Sequence, residues 1–314
     1  RLVGSEMCIR DLVYIEVLLR FFERGKNMAG DLHCHTKLSD SSMGIDDLIV
    51  LAQKRGVDTS AITDRDCQAG TVRAKIIGER RGVTVIPGVE ISAYDSKRER
   101  YADILCYLSD SPDRLEGLCH RNVVARKRAS QMMTLKAAQR YPLTPELVLK
   151  CATGSTAVFE QHIMHALLEC GMTDRIFGEL YYELFSPDSP QNVLVKANYP
   201  EPAQIIEDIH EAGGIAVLAH PGQTDSFELL DELIPLGLDG VEAWHPDNSE
   251  EQTAALLDKA KSAGILVTGG TEFRGMYSRK PLSVGAYSAP DQAVKALLTY
   301  KSKLKRKKAK QEER

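Results

Sequence analysis

The sequence predicts an α/β fold, a seven-stranded (β/α) barrel carrying an inserted helical subdomain. Three observations point to it. Short β-branched apolar runs recur at about 30–34, 58–63, 83–90, 102–108, 215–219, 239–244 and 265–270. Helical patterns separate several of them, as in βα units around a mostly parallel sheet. Polar residues sit where several of these runs end, as they do on the catalytic face of a barrel. Seven strands favour closure over the open doubly wound sheet that the same alternation permits.

In chain order, residues 1–27 read as a non-native leader. Glu6-Met7-Cys8-Ile9-Arg10-Asp11 resembles the translation of a transposon end used in sequencing libraries, and Met28 looks like the start. Residues 28–110 form the first part of the barrel. Its first strand runs into Asp31-Leu32-His33-Cys34-His35-Thr36. A helix over 45–55 follows, with Ile45, Leu48, Ile49 and Ala52 on one face and Gly56 as its stop. The next strands end in Ala61-Ile62-Thr63-Asp64 and Gly88-Val89-Glu90-Ile91-Ser92. From 111 to 200 the strands cease and the pattern turns helical, with breaks at Tyr141-Pro142, Gly154 and Pro187 to Pro190, which reads as a lid. Residues 201–300 complete the barrel through Leu218-Ala219-His220-Pro221-Gly222, Val241-Glu242-Ala243-Trp244-His245-Pro246 and Gly269-Gly270-Thr271-Glu272-Phe273. Residues 301–314 are a basic tail.

Composition narrows the class. With 314 residues, 43% hydrophobic and 27% charged, the chain can bury a full core. Seven cysteines without a CxxC pair suggest neither a zinc ribbon nor a disulfide framework, and a reducing cytoplasm is the expected compartment. The apolar run Leu12 to Phe22 is broken by Glu16 and Arg20 and is too short to span a bilayer, so no membrane association is expected. The net charge of −4 hides an asymmetry: the tail holds eight Lys or Arg against two Glu, which leaves the body near −10. Such a tail can grip nucleic acid through phosphates, although a solvated helix end is the simpler reading.

His33 and His35 carry the strongest local signal, because alternate strand residues point the same way and can offer two imidazoles to one metal. Asp64, Glu90, His220 and Glu272 each follow or end a predicted strand, so polar groups from distant segments converge on one rim.

This ordered set resembles the polymerase and histidinol phosphatase (PHP) family from about Asp31 to Pro290. The resemblance implies a distorted seven-stranded barrel, a helical insertion between the fourth and fifth strands, and two or three divalent metals that serve phosphate-ester hydrolysis. Residue by residue, His33, His35 and Glu90 match first-metal ligands, Glu90 also matches the bridging carboxylate, His220 matches a second-metal ligand and Asp40 a third-metal ligand. Four positions depart from the pattern. Arg65 and Arg274 stand where the family has histidines that hold the third metal, and a guanidinium is no metal ligand, so that ion is expected to be absent. Asp103 replaces a usual His and Glu272 a usual Asp, and both can still bind metal. The set His33, His35, Glu90, Asp103, His220 and Glu272 therefore implies two divalent ions among manganese, iron, zinc and magnesium.

Arg65 and Arg274 are expected to grip the phosphate beside Asp40, or else to pair with Asp40, Asp64 or Asp66. His162, in Glu160-Gln161-His162, falls where relatives carry Arg-Pro-His and is a candidate substrate contact. His245 is a candidate general acid. His120, His165 and His210 read as packing or surface residues. The expected activity is hydrolysis of a small phosphorylated substrate, a phosphomonoester or a nucleotide-like or sugar-like cyclic phosphodiester, by a hydroxide bridging two metals that attacks phosphorus. The alternatives are a degenerate member that binds a phosphorylated ligand without turnover, and a nuclease that holds polynucleotide through the basic tail. Oligomeric state is not set by the sequence.

Overall fold

The computed structural model describes residues 29–312, with side chains described as far as residue 303. The expected leader lies outside the described residues, as does the end of the basic tail. Strands β1 (Gly30–Cys34), β2 (Thr59–Ile62), β3 (Thr84–Asp95), β4 (Arg100–Tyr107), β5 (Ile215–Leu218), β6 (Gly240–Trp244) and β7 (Leu266–Gly269) form one sheet in sequence order. The sheet nearly closes on itself. His35 N–H donates to Phe273 O at 3.0 Å just beyond β1 and β7, and Gly30 and Ala289 exchange backbone bonds at 3.0 and 2.8 Å.

Helices α1 (Ile45–Lys54) and α2 (Thr71–Arg81) join the first three strands. Ile45, Leu48, Ile49 and Ala52 are the buried face of α1, and Gly56 takes the left-handed turn that ends it at φ 73°.

The sheet is mostly parallel, as expected, with one strand reversed. β1–β2, β2–β3, β5–β6 and β6–β7 pair in parallel, but β4 is antiparallel to both β3 and β5. Four residues, 96–99, separate the paired ends Asp95 and Arg100, enough for a hairpin and far too few for a crossover. The reversal brings the start of β4 to the rim where the parallel strands end. Asp103 lies there, opposite Ser92.

Between β4 and β5 come a 3-10 turn and helices α3 (Glu116–Ala138), α4 (Pro145–Cys151), α5 (Glu160–Glu169), α6 (Glu179–Phe185) and α7 (Pro202–Glu211). Met133, Leu143, Ile163, Leu167, Tyr181 and Leu184 build a separate small core for this insertion, which Tyr277 joins from the barrel side. The remaining helices are α8 (Pro221–Thr224), α9 (Leu229–Leu233), α10 (Glu250–Ala263) and α11 (Asp291–Glu312). Leu32, Ala61, Ile86, Leu105, Tyr107, Val217 and Leu266 pack with Val294, Leu297 and Leu298 of α11, which covers the barrel at the end away from the polar rim. Among the described residues no helix is long and apolar enough to cross a membrane.

Candidate metal centre

Glu90 stands at the middle of the polar rim, fully buried, and its two carboxylate oxygens face different partners. Oε2 lies 3.5 Å from His33 Nε2 and 3.3 Å from His35 Nε2, while Oε1 lies 2.9 Å from His220 Nε2. Glu272 Oε1 approaches the same His220 nitrogen at 3.3 Å and Asp103 Oδ2 reaches it at 4.0 Å. Two groups have ligand atoms mutually within 4.8 Å: His33, His35, Glu90 and Glu272, and then Glu90, Asp103 and His220. The structure thus brings together all six of the expected ligands, with Glu90 common to both groups.

The donor chemistry fits divalent cations. His33 Nε2 and His35 Nε2 are buried without a hydrogen-bond partner among the described residues. Polar atoms left in this way are costly unless a ligand completes them. His33 is also oriented for the purpose, because its Nδ1 lies 3.1 Å from both oxygens of Glu242, which leaves Nε2 to face Glu90. Burial opposes the charged form of His33, but Glu242 and Glu90 outweigh it and carry its pKa up to about 10. His35 Nδ1 has only Asp40 Oδ1, at 3.4 Å and without a hydrogen bond, and burial takes it down to about 3 despite that carboxylate. Burial also opposes charge on Glu90 and Glu272; Arg65 with His33, and Arg274 with His220, overcome it and hold both well below the usual carboxylate range.

Backbone strain concentrates at the same place. His220 and Glu272 both have positive φ, 25° and 50°, in a region that side chains other than glycine seldom adopt. Glu242 Oε2 accepts the His220 N–H at 3.0 Å, and Asn248 donates to the carbonyls of Glu242 and Ala243 at 3.2 and 2.8 Å while its Oδ1 accepts from Gly222 N–H at 2.8 Å. The loop bearing His220 is therefore sewn to β6. Gly270 is required where β7 meets β1, since a Cβ there would come within 2.4 Å of the His33 nitrogen.

Both arginines are committed to carboxylates of the centre. Arg65 reaches Asp103 Oδ2 at 2.8 Å, Glu90 Oε2 at 3.0 Å, and Glu272 and Asp40 at 3.7 Å each. Arg274 pairs with Asp40 Oδ2 at 2.8 Å and with Glu272. Of the three expected acidic partners only Asp40 is used. Asp64 instead accepts from Thr36 N–H, Thr36 Oγ1 and Ser39 Oγ at 2.6–2.7 Å, which shapes the loop after β1. Asp66 faces the lid, where Arg126 of α3 approaches it at 2.7 Å and Asn122 donates at 2.8 Å.

His162, at the start of α5, is buried, and its Nδ1 accepts the Phe159 N–H at 3.1 Å. Burial lowers it to about 4, although Asp40 acts in the other direction across the gap between lid and rim. Glu160 accepts from Tyr181 Oη at 2.8 Å. His245 Nε2 stands 3.3 Å from Glu272 Oε2, and its Nδ1 accepts the Asp247 N–H at 3.2 Å, so the proton of the neutral ring sits on Nε2. His165 meets Tyr277 and His210 meets Asp239. Three buried residues escaped the sequence reading: Glu242, Arg126 and Asp31, whose carboxylate accepts from Thr271 and Gly285 N–H at 2.9 and 2.8 Å and ties β1 to the segment after β7. For Glu242 a signal existed, a lone carboxylate at an inward position of an otherwise apolar strand.

Comparison with known proteins decides the family. The PHP domain model matches residues 31–213. The chain belongs to the PHP family. Among curated relatives, the phosphoribosyl 1,2-cyclic phosphate 1,2-diphosphodiesterase of Eggerthella lenta is 34% identical over 257 residues, covering 81% of this chain and 97% of that protein. The 5'-3' exoribonuclease Rnm of Escherichia coli is 30% identical over 255 residues, covering 77% and 84%. A solved structure from Bifidobacterium adolescentis, carrying a metal-dependent phosphoesterase assignment, superposes with a TM-score of 0.77 at 30% identity, covering 86% of this chain and 95% of that one. This PHP protein is accordingly a metal-dependent phosphoesterase with a distorted (β/α) barrel, and its cluster of buried histidines and carboxylates lies at the rim from which such enzymes work.

Proposed function

We propose that the chain hydrolyses a small cyclic phosphodiester on a sugar or nucleotide, using two divalent ions held by His33, His35, Glu90 and Glu272 and by Glu90, Asp103 and His220. The observation that carries the reading is Glu90, whose two oxygens are divided between the His33–His35 pair and His220. The Eggerthella lenta relative, named for a cyclic phosphodiester of a phosphoribosyl group, supports the substrate class. Ions in these positions would activate water and neutralise phosphoryl oxygens. Manganese, iron(II), zinc and magnesium all suit the mixed imidazole and carboxylate donors, with oxygen-rich Asp103 and Glu272 favouring the harder ions.

The chain's own residues supply the rest. Arg65 and Arg274 present fixed positive charge beside Asp40, Glu90 and Glu272, and a guanidinium edge matches two phosphoryl oxygens. His245 presents its Nε2–H next to Glu272, where the neutral ring can stabilise a leaving oxygen by donating a hydrogen bond rather than the proton itself. His162 is a neutral substrate contact on the lid, because burial keeps its ring uncharged near neutral pH.

Phosphate release and bound metal, measured on one preparation grown with added metal, test the reading. About two metal equivalents with turnover of a cyclic sugar phosphate are expected. Glu90→Ala and Asp103→Ala should each lower kcat by roughly 100-fold or more, the scale of losing a ligand to a catalytic ion. Absence of both metal and turnover would leave the phosphate-binding alternative. A second reading rests on the exoribonuclease named among the relatives. Faster turnover of a 5′-phosphorylated oligoribonucleotide, lost when residues 301–314 are removed, would replace the small-ester proposal with it.

A further inference from the structure

The two ligand groups differ in what already holds their donor atoms. In the first, His33 Nε2 and His35 Nε2 have no hydrogen-bond partner among the described residues, so an ion can reach both imidazoles without displacing anything from them. In the second, the atoms that face one another are engaged. Glu90 Oε1 pairs with His220 Nε2 at 2.9 Å, and Asp103 Oδ2 takes Arg65 Nη1 at 2.8 Å. Arg65 holds on as a fork, since its Nη2 stands 3.0 Å from Glu90 Oε2.

The backbone of Arg65 is fixed at this place. Asp66 N–H donates to Glu90 O at 2.7 Å, and Arg65 is bridged to Glu90 in parallel fashion beside β3, so only the side chain is able to move. It has room to do so on one side. The Arg65 and Asp103 side chains are 12% and 10% exposed, against 0% for Glu90 and 1% for His220, which places that ion pair at the wet edge of the centre. A divalent ion and a guanidinium on one carboxylate oxygen repel at short range, and the ion carries the larger charge. An ion arriving at Asp103 therefore has to dislodge a two-pronged, charge-assisted contact that nothing in the first group sets against it.

We propose that Arg65 is an internal competitor for the second ion: the group Glu90, Asp103 and His220 binds its ion more weakly than the first group, and does so as the guanidinium leaves Asp103. This order of filling rests on the two-ion reading above and adds to it the residue that sets the order. It also gives Arg65 two successive partners. With the second group empty it neutralises Asp103 and Glu90; once displaced from Asp103, its fork is available to phosphoryl oxygens.

Calorimetric titration of the metal-free full chain with manganese, beside Arg65→Met, tests this. The unsubstituted chain should bind two ions with dissociation constants about tenfold or more apart. In Arg65→Met the weaker constant should tighten by about 10- to 100-fold, the worth of one contact between charged groups, and the tighter one by less. Equal constants in the unsubstituted chain overturn the proposal, and so does an unchanged weaker constant in the variant. Tightening of both by the same factor also overturns it, because Arg65 then acts only as general positive charge. A variant that fails to fold is replaced by footprinting of the unsubstituted chain with an arginine-specific dicarbonyl, read by peptide mass spectrometry. Labelling of Arg65 should rise as the second equivalent of manganese binds and stay flat as the first does; labelling indifferent to the second ion overturns the competition. Neither readout uses turnover, so two unequal ions in a chain that cleaves no cyclic ester would sink the hydrolysis reading and leave the role of Arg65 standing.

Discussion

Glu242 shows how much of a metal centre lies one step behind its ligands. It grips His33 Nδ1 with both oxygens and holds the His220 backbone, so one carboxylate orients imidazoles for both ligand groups. Glu242→Gln keeps the shape and removes the charge, and metal affinity should fall about 10- to 100-fold in a competition titration with a chelating dye. Unchanged affinity would reduce Glu242 to a packing residue. His162 yields a prediction in pH. Its folded pKa of about 4 lies below the ordinary 6.5, so the unfolded chain takes up a proton that the folded chain refuses. The stability this ring contributes is complete above pH 6.5 and is lost as pH falls toward 4, by roughly 3 kcal/mol in all. Urea unfolding at several pH values should show that slope in the unsubstituted chain and a shallower one in His162→Gln. The contrast between these residues and the histidine pair also explains what the sequence could reveal. His33 and His35 are marked by a two-residue spacing, whereas Asp31 and Arg126 hold distant partners with no pattern to mark them, and Glu242 offers only the weak mark of a lone carboxylate in an apolar strand.

At the level of elements, strand positions were legible because apolar β-branched runs end in polar residues, but strand direction was not. Nothing in Ala102-Asp103-Ile104-Leu105 says which way it runs; the decisive quantity is the four-residue link after Asp95, hidden because β3 continues five residues beyond Glu90. The reversal has a chemical consequence, since Asp103 reaches the rim only from the beginning of an antiparallel strand. The expected arginine partners failed for a related reason: Asp64 and Asp66 adjoin Arg65 in sequence, yet they point to the β1 loop and to α3. Arg126 crosses from that helix to Asp66 and Ser92 and is packed against the Phe159 and Tyr199 rings. Arg126→Met leaves a buried carboxylate without its cation and should cost roughly 3–5 kcal/mol in urea unfolding. Less than about 1 kcal/mol would mean that Asn122 and water suffice for Asp66. Gly270→Ala belongs to the same scale, because its added carbon meets backbone rather than a yielding side chain. The closure between β7 and β1 must open, and a loss of roughly 1–3 kcal/mol is expected together with weaker metal binding, as His33 moves with its strand.

For the molecule as a whole, the rim concentrates negative charge inside a low-dielectric interior. Asp40, Glu90, Asp103, Glu242 and Glu272 are all buried around two arginines and four histidines, and the fold gathers them from seven separate strands or loops. Such a set is stable as a group only when its opposite charges balance, and divalent ions at the two ligand groups add positive charge where carboxylates outnumber arginines. Folding and metal binding are therefore linked: ions that bind the folded chain and not the unfolded one stabilise it by about 2.7 kcal/mol at a free concentration 100-fold above Kd. Stripping the chain with a chelator should lower Tm by several degrees, and adding back manganese should restore it in proportion to the logarithm of its concentration. Glu90→Ala removes the residue common to both ligand groups, so its Tm should hardly respond to chelator or metal. A stripped chain that melts at the same temperature as the loaded one would show that Arg65 and Arg274 alone balance the rim, and that the expectation of two resident ions is mistaken.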